Sequence, residues 1–411
     1  MMRRRLALVA LLAVFSLIVA ACGDDEGEST TTAAPSTTAA PTTTAAPTTT
    51  AAPTTTAGPT TTAGPAPKKV CQVTDIGGID DGSFNTTAWE GALLARDQLG
   101  VEVAYLESQA QTDYRPNIES FVNEGCDLII TVGFLLAADT ATAACDFPDQ
   151  LFAIIDQQPE FYPGSAWTDA DGNALCDFSK VRGLMFQTDE AAFLGGYLAA
   201  GMSESGVVGT FGGMQFPSVT IFMDGFAWGV QYYNQVKGTD VQVLGWDPVA
   251  QTGLFTGNFE SLDDARALTE SLNDEGADII LPVGGPIGKG AAAVGAERGL
   301  SIFGVDSDWC VSALVADTCP QVLASIMKNM APAVLNTAVN VVELGAVGNP
   351  YLGTLSNDGV GLTYGSELGA TISDELKAEI EALRVAIIAA DETTADAGDG
   401  LTVFLTPPAE G

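Results

Sequence analysis

The sequence predicts an α/β fold made of two doubly wound, parallel-sheet lobes with a ligand cleft between them. Short apolar runs alternate with helical patterns from Val70 onward, and this alternation restarts after an irregular segment at 157–180. Strands that are apolar along their whole length and alternate with helices are typical of a parallel sheet covered on both faces. Residues 68–411 are also too many for one ordinary core, which favours two lobes.

Lobe 1 is predicted over residues 68–185. Its strands and helices alternate in the order "VCQVTD", a helix over about 84–99, "VEVAYLES", "DYRPNIESFVNEG", "CDLIITVGF", "LLAADTATAAC" and "QLFAIID". The segment at 157–180 is rich in Pro, Gly and Asp, so an irregular connection is expected there.

Lobe 2 is predicted over residues 186–308. The strands after the irregular segment are "VRGLMFQ", "GVVGTFGGM", "VQVLGW", "ADIILPVGG" and "LSIFGVDSD", and the helices are "DEAAFLGGYLAAGM", "SVTIFMDGFAWGVQYYN", "LDDARALTESLNDEG" and "GKGAAAVGAERG". A long helix is predicted over about 323–344. Residues 309–411 are expected to supply this crossover helix and a C-terminal segment shared between the lobes.

Residues 1–67 have the composition of an export signal followed by a tether. Three arginines precede an apolar run and small residues, which is the layout of a secretory signal peptide over 1–21. The sequence "VAAC" at its end is similar to a bacterial lipobox, in which Cys22 becomes the lipidated N-terminus; ordinary secretion is the alternative. Residues 22–67 repeat "TTTAAP" and predict a disordered tether. We therefore expect a lipid-anchored protein on the extracytoplasmic face of the cell membrane.

Charge and cysteine content narrow the class of protein. A net charge of -36 argues against binding to nucleic acid and against contact with anionic lipid through the protein surface. Of seven cysteines, the six other than Cys22 form an even set, which suggests disulfides in an exported protein, although some are free thiols in the alternative interpretation. Pairing cannot be read from the count alone, but we expect Cys310 to pair with Cys319 and Cys126 with Cys145, because these cysteines are nearest in sequence.

Polar and aromatic side chains follow the predicted strands, at the edge where open parallel sheets bind ligands. In lobe 1 these are Asp75, Asp80, Asp81, Ser83, Phe84, Asn85, Phe134 and Asp156. In lobe 2 they lie in "FGGMQFP", "GGPIGKG" and "GVDSDW". Carboxylates, amides, glycines and Phe rings suit a polar, uncharged ligand with several donors and a flat ring.

Each of these residues also has a structural interpretation. Ser83 or Asn85 would cap the helix that begins near Phe84, with Asp80 and Asp81 favourable to its dipole. A phosphate loop at "GGPIGKG" is excluded, because the Walker pattern needs Gly six positions before the Lys and Ser or Thr after it. The chain has neither residue at those positions.

Nine motifs run in one order along the folded part and carry a resemblance to a known family. They are "VTDIGGIDDGSFNTTAWEG", "DLIITVGFLLAADT", "FAIID", "DEAAFLGGYLAA", "VGTFGGM", "FMDGF", "GADII", "FGVDSD" and "SIMKN", between Val73 and Asn329. The chain resembles the basic membrane protein family of substrate-binding lipoproteins, which includes the purine nucleoside receptors of ABC transporters. The resemblance implies a type I periplasmic-binding-protein-like fold.

The resemblance also implies roles for individual residues. Phe84 and Phe222 are similar to the two rings that hold the purine. Asp75, Asp156 and Asn85 look like contacts to polar edges of the ligand.

A second pair, Asp306 and Lys328, looks like the group that binds the ribose hydroxyls, since a carboxylate accepts from both hydroxyls of a diol and an ammonium donates to them. Gly284 lies in a loop expected to bind the ligand. The family usually has "AGGTGNG" where this chain reads "VGGPIGKG", so that loop is longer here and carries Lys289. The segment at 157–180 is longer as well.

The resemblance implies a non-catalytic binding protein that delivers a purine nucleoside, or a similar small polar metabolite, to a membrane ABC permease. No cofactor, metal or catalytic residue is expected. The alternatives are a ligand-sensing surface lipoprotein, a sugar-binding receptor and, less favoured because the chain has no histidine, a nucleoside-processing enzyme.

Overall fold

The computed structural model describes residues 68–313 and 315–391, together with residues 401 and 404. The predicted signal peptide, the lipidated Cys22 and the predicted tether lie outside the described residues. Within the described ranges, none of the helices combines the length and the apolar character needed to cross a membrane.

Strands and helices alternate through the first part of the chain, as predicted. They are β1 (Lys69–Val73), α1 (Phe84–Leu99), β2 (Glu102–Leu106), α2 (Tyr114–Glu124), β3 (Leu128–Val132), α3 (Ala137–Asp146), β4 (Leu151–Ile155) and β5 (Val181–Phe186). The interior strands β3 and β4 are almost entirely buried, because helices cover both faces of the sheet.

The second series has the same alternation. It comprises α4 (Thr188–Met202), β6 (Val207–Gly212), α5 (Pro217–Lys237), β7 (Gln242–Leu244), β8 (Trp246–Asp247), β9 (Thr252–Gly253), α6 (Leu262–Asp274), β10 (Ile279–Val283), α7 (Gly288–Arg298) and β11 (Ser301–Asp306). The remaining elements are β12 (Val322–Lys328), α8 (Met330–Leu344), β13 (Tyr351–Gly353), β14 (Val360–Tyr364) and α9 (Asp374–Asp391).

Two six-stranded sheets form the cores of two lobes. The first has the strand order β2-β1-β3-β4-β5-β13, and all its pairs are parallel. The second has the order β7-β6-β10-β11-β12-β14, and only the pairing of β14 with β12 is antiparallel. In each sheet the first five strands follow the 2-1-3-4-5 pattern of a doubly wound fold, which confirms the predicted fold class.

The chain crosses between the lobes three times. It leaves the first sheet after β5, returns from β12 through α8 to β13, and crosses again to β14. Helix α8 packs against α1 of the first lobe, and α4 packs against α5 of the second.

The connection at 157–180 contains no helix, as expected from its composition. Trp167 and Phe178 from this segment are buried in the same apolar cluster as Phe152 of β4, and their rings meet edge to face. The segment therefore covers the sheet in the place where a crossover helix normally packs.

The predicted helix over 323–344 is wrong in its first third. Residues Val322–Lys328 form strand β12, which pairs with β11 on one side and β14 on the other, and the helix begins only at Met330. Pro332 lies in the first turn of α8, where its missing N–H is tolerated, whereas it would interrupt a helix that began at 323.

Three disulfides join the six cysteines. The predicted pair Cys310–Cys319 is confirmed. The predicted pair Cys126–Cys145 is wrong: Cys126 is bonded to Cys71, and Cys145 to Cys176. Strand order explains the first of these bonds, because β1 carries Cys71 and pairs with β3, which begins just after Cys126.

Candidate ligand-binding site

A cavity lies where the carboxyl ends of the strands in the two sheets face each other. It encloses about 640 Å³ of space, including its opening to solvent. All eight residues predicted as ligand contacts line it: Asp75, Phe84, Asn85, Asp156, Phe222, Gly284, Asp306 and Lys328. Parallel strands bring these residues together, since residues that follow different strands meet at one edge of a sheet.

Lys328 and Asp156 form a buried ion pair between the two lobes. Lys328 ends β12 and Asp156 follows β4; they are 2% and 8% exposed, and the ammonium nitrogen lies 2.5 Å from a carboxylate oxygen. Burial raises the pKa of the Asp156 carboxyl, and the charge of Lys328 opposes that rise. The direct partner of Lys328 is thus Asp156, whereas the resemblance had grouped Lys328 with Asp306.

The ammonium group of Lys328 also contacts an aromatic face. It lies 4.8 Å from the ring centroid of Phe84 and 5.5 Å from that of Phe186. A cation over a ring is attracted to its negative face, most strongly where water is excluded. The ion pair and the Phe84 ring are therefore one packed unit at the wall of the cavity.

Asp306 is the buried carboxylate that ends β11. It accepts a hydrogen bond from the Ser83 hydroxyl at 2.8 Å. Burial raises the pKa of Asp306 to about 6; the charge of Lys328 and the Ser83 hydrogen bond oppose this, while the charges of Asp156 and Asp81 add to it.

A third carboxylate, Asp75, lies at the end of β1. One of its oxygens accepts hydrogen bonds from the Tyr114 hydroxyl and from the N–H of Ile76. Burial raises the pKa of Asp75 to about 6, against the effect of the Tyr114 hydrogen bond. Gly133, at the end of the neighbouring β3, leaves room for the other oxygen.

The side chain of Asn85 is oriented by the backbone of Asp75. Its Oδ1 accepts the N–H of Asp75 at 3.0 Å, so the side-chain amide has a fixed direction. Among the hydrogen bonds of the described residues, none uses Asn85 Nδ2. The cavity is thus lined by an amide donor close to the carboxylate acceptor of Asp75.

The helix that carries Phe84 and Asn85 is capped by Asp81. The Asp81 carboxylate accepts from the N–H groups of Ser83, Asn85 and Thr86 and from the Thr86 hydroxyl. Ser83 occupies the N-cap position, as the alternative interpretation allowed, but its side chain makes no capping hydrogen bond, and Asn85 lies within the first turn. Asp81 lines the cavity but its oxygens serve the helix end, and Asp80 is exposed.

Three further Phe rings line the cavity and were not among the predicted contacts. Phe134, after β3, stacks on Phe216, after β6, with centroids 4.9 Å apart and planes at 18°. Phe259 lies 6.2 Å from Phe216. Phe134 and Phe216 lie just after strands, and this position in the sequence could have identified them as cavity residues. Phe259 lies far along the connection that contains β8 and β9, and no local pattern marks it.

Two doubly wound lobes joined by three crossovers, with a cavity between their strand ends, define the class of two-lobed, type I solute-binding proteins. The chain belongs to the Bmp family, described as ABC transporter substrate-binding protein PnrA-like, whose model matches residues 68–391.

Known proteins similar to the chain agree with this assignment. Basic membrane protein A of Borreliella burgdorferi is 30% identical over 242 residues, 58% of this chain and 63% of that protein. An ABC transporter nucleoside-binding protein, BmpA of Lactococcus lactis, is 26% identical over 252 residues, 58% of this chain and 64% of that protein. The chain therefore spans less than two thirds of the length of these two relatives.

A solved structure is similar over most of the chain. An ABC transporter system solute-binding protein from Aeropyrum pernix K1 superimposes with a TM-score of 0.65 and 25% identity, covering 82% of this chain and 96% of that chain. This likeness places the fold among solute-binding proteins.

Proposed function

We propose that the protein is the substrate-binding component of an ABC importer and that its cleft binds a purine nucleoside. The observation that carries the proposal is the combination, in one cavity, of Phe rings with a buried group of Asp156, Asp306 and Lys328. A nucleoside has a flat base, whose faces stack on aromatic rings, and a sugar diol, and these two surfaces match those two groups of side chains.

The base is assigned to the aromatic part of the cavity. Phe84 and Phe222 supply ring faces from the first and second lobe, and Asp75 with Asn85 supplies an acceptor and a donor for the polar edge of the base. Hydrogen bonds to a buried, ionised carboxylate are stronger than those between neutral groups, so this edge contributes to specificity as well as to affinity.

The ribose is assigned to the charged part. Asp306 accepts from the diol hydroxyls, and Lys328, held by Asp156, donates to their oxygens. Within this group Lys328 compensates the buried charge of Asp156, which limits the cost of desolvating the ion pair when the cleft excludes water.

The cellular setting follows from the same proposal. A lipid anchor at Cys22 would hold the protein on the extracytoplasmic face of the membrane, and the partner would be the membrane permease of the importer. The name of the Lactococcus lactis relative, a nucleoside-binding protein, supports this choice of substrate class.

A thermal-shift screen of the full chain tests the proposal. We expect inosine, adenosine or guanosine to raise the unfolding temperature, and free bases, ribose and unrelated sugars to raise it much less. Loss of one hydroxyl should make 2′-deoxyinosine at least about tenfold weaker, because a charged acceptor is left unpaired. Chromatography of the inosine sample after incubation should recover inosine and no free base. Stabilisation by a sugar alone, or release of free base, would contradict the proposal.

A further inference from the structure

The two lobes are connected across the cleft by three serine hydroxyls outside the cavity wall. Ser307 and Ser312 of the second lobe both donate to the carbonyl oxygen of Gly82 in the first lobe, at 2.9 Å and 3.2 Å. Ser83, the next residue, donates in the opposite direction to Asp306 at 2.8 Å, with the carbonyl oxygen of Val305 at 3.1 Å. These contacts join residues more than two hundred positions apart in sequence, so they exist only while the lobes are together.

The first-lobe side of this contact is held rigidly. The N–H of Ser83 donates to Asp81, and the N–H of Gly82 donates to the Thr86 hydroxyl. Gly82 has a φ of 75°, a left-handed conformation that suits glycine and directs its carbonyl group toward the second lobe. The carbonyl oxygen is therefore in place before the lobes meet.

The second-lobe side of this contact is also held in place by bonds within its own lobe. Asp308 accepts the N–H of Cys310 through its carboxylate and the N–H of Ser312 through its carbonyl oxygen. The Cys310–Cys319 disulfide closes the same loop, and the buried Trp309 donates from its ring N–H to the carbonyl of Val305. Neither serine needs much ordering to make its bond, so little entropy is lost on contact.

We propose that Ser83, Ser307 and Ser312 form a hydroxyl latch that closes the cleft and, through the Ser83–Asp306 hydrogen bond, couples closure to the position of a ligand-contacting carboxylate. The coupling rests on the proposed function, in which Asp306 contacts the ribose. The serines act as positioning residues: they contact the other lobe, and Asp306 contacts the ligand.

The latch is tested with the full chain carrying Ser307→Ala and Ser312→Ala together. The matched control is Ser165→Ala, which removes a hydroxyl that donates to the carbonyl of Glu160 at 2.7 Å within the first lobe. In hydrogen exchange without added ligand, we expect faster exchange of peptides covering 76–86 and 305–313 in the double variant and wild-type exchange in the control. With inosine as the probe, we expect about tenfold weaker binding in the double variant, because two hydrogen bonds of the closed state are lost.

The coupling is tested separately with Ser83→Ala and a pH profile of inosine binding. The groups that face Asp306 are Lys328, Asp156 and Asp81, and the variant leaves all of them in place. Loss of a hydrogen bond to the ionised carboxylate should move the fall in affinity to higher pH than in the wild type.

The outcomes of these experiments test the latch and the coupling separately. Unchanged exchange in both segments of the double variant would overturn the latch. Faster exchange with unchanged inosine affinity, or an unshifted pH profile in Ser83→Ala, would overturn the coupling. If the wild type binds no nucleoside, the proposed function and the coupling fail together, and exchange still decides whether the latch exists.

Discussion

Asp156 and Asp306 occupy equivalent positions in the two lobes, directly after β4 and at the end of β11. Both have a positive φ, 64° and 67°, which is uncommon for residues other than glycine. Such a conformation costs on the order of 1 kcal/mol, less for Asp than for bulkier residues. Each carboxylate is held in this conformation by a partner from the other lobe, Lys328 for Asp156 and Ser83 for Asp306.

Replacing the Phe84 ring tests the aromatic contact. We expect Phe84→Ala to weaken inosine binding by at least about tenfold, because it removes a stacking face that is also packed against the Lys328 ammonium. Calorimetric titration measures the change. Phe161→Ala is the control, since that ring is exposed and lies outside the cavity lining. Equal affinities in both variants and the wild type would show that Phe84 is not a contact.

Protonation of the cavity carboxylates should weaken ligand binding. Burial raises the pKa values of Asp75 and Asp306 to about 6, so both lose their charge as the pH falls through that value. A protonated carboxyl is a poorer acceptor for hydroxyl and amino donors. Inosine affinity measured from pH 8 to pH 5 should therefore fall below about pH 6. An Asp306→Asn variant should bind weakly at every pH with a flatter profile; a wild-type affinity independent of pH would contradict this.

Secondary-structure elements position the cavity carboxylates, because the ends of neighbouring strands lie close together. Gly133 follows β3 with a φ of 113°, and a methyl group added there would overlap the Asp75 carboxylate of the adjacent strand. Gly125 also has a positive φ, 77°, but an added methyl group would meet no atom within 4 Å.

This pair of glycines separates backbone strain from damage to the site. We expect Gly125→Ala to lower the free energy of unfolding by about 1 kcal/mol, because Gly125 is left-handed, and Gly133→Ala to lower it by more, because its φ of 113° and ψ of 156° form a conformation that essentially only glycine adopts. Only Gly133→Ala should also weaken inosine binding, since it displaces Asp75. Chemical denaturation and calorimetry on both variants give the comparison, and normal inosine affinity in Gly133→Ala would remove Asp75 from the site.

Most elements follow from local pattern, and the misassigned ones depend on the fold. Continuous apolar runs predict β3 and β4, because a strand covered on both faces needs no polar alternation. The run "VLASIMK" of β12 merges with the helical pattern after it, and only its pairing with β11 and β14 makes it a strand. The Cys71–Cys126 bond depends on which strands are neighbours, and nearness in sequence does not encode strand order.

The site residues also divide into those that local sequence predicts and those that depend on the fold. Residues that directly follow a strand, such as Asp75 and Asp306, can be located by their distance from the strand end together with the resemblance. The pairing of Lys328 with Asp156 and the stack of Phe134 on Phe216 each join the two lobes, so they depend on how the lobes close. Local sequence carries no signal for that closure.

At the scale of the whole molecule, buried carboxyl groups govern how stability depends on pH. Burial raises the pKa of Glu190 to about 9, although the N–H of Leu355 donates to it, and raises that of Asp189 to about 7. Asp75 and Asp306 are raised to about 6. All four hold protons more tightly in the folded chain than in the unfolded chain, so these four groups lower the free energy of unfolding as the pH rises from about 5 to about 9. The net charge of -36 adds self-repulsion in the same direction.

Urea denaturation at pH 5 and pH 8 measures this dependence. We expect the higher midpoint at pH 5, and we expect Glu190→Gln to reduce the difference because it removes the group with the highest of these pKa values. Greater stability at pH 8 would mean that these carboxyl groups are ionised without cost. The expected trend is opposite to that of ligand binding, which requires ionised carboxylates.

Calorimetric titration of inosine into the full chain at pH 8 shows whether the cleft between the lobes binds a purine nucleoside. We expect saturable binding of one inosine per chain, lost when Phe84→Ala and Asp306→Ala are combined. Absence of saturable binding in the wild type, or equal binding by the combined variant, would contradict it.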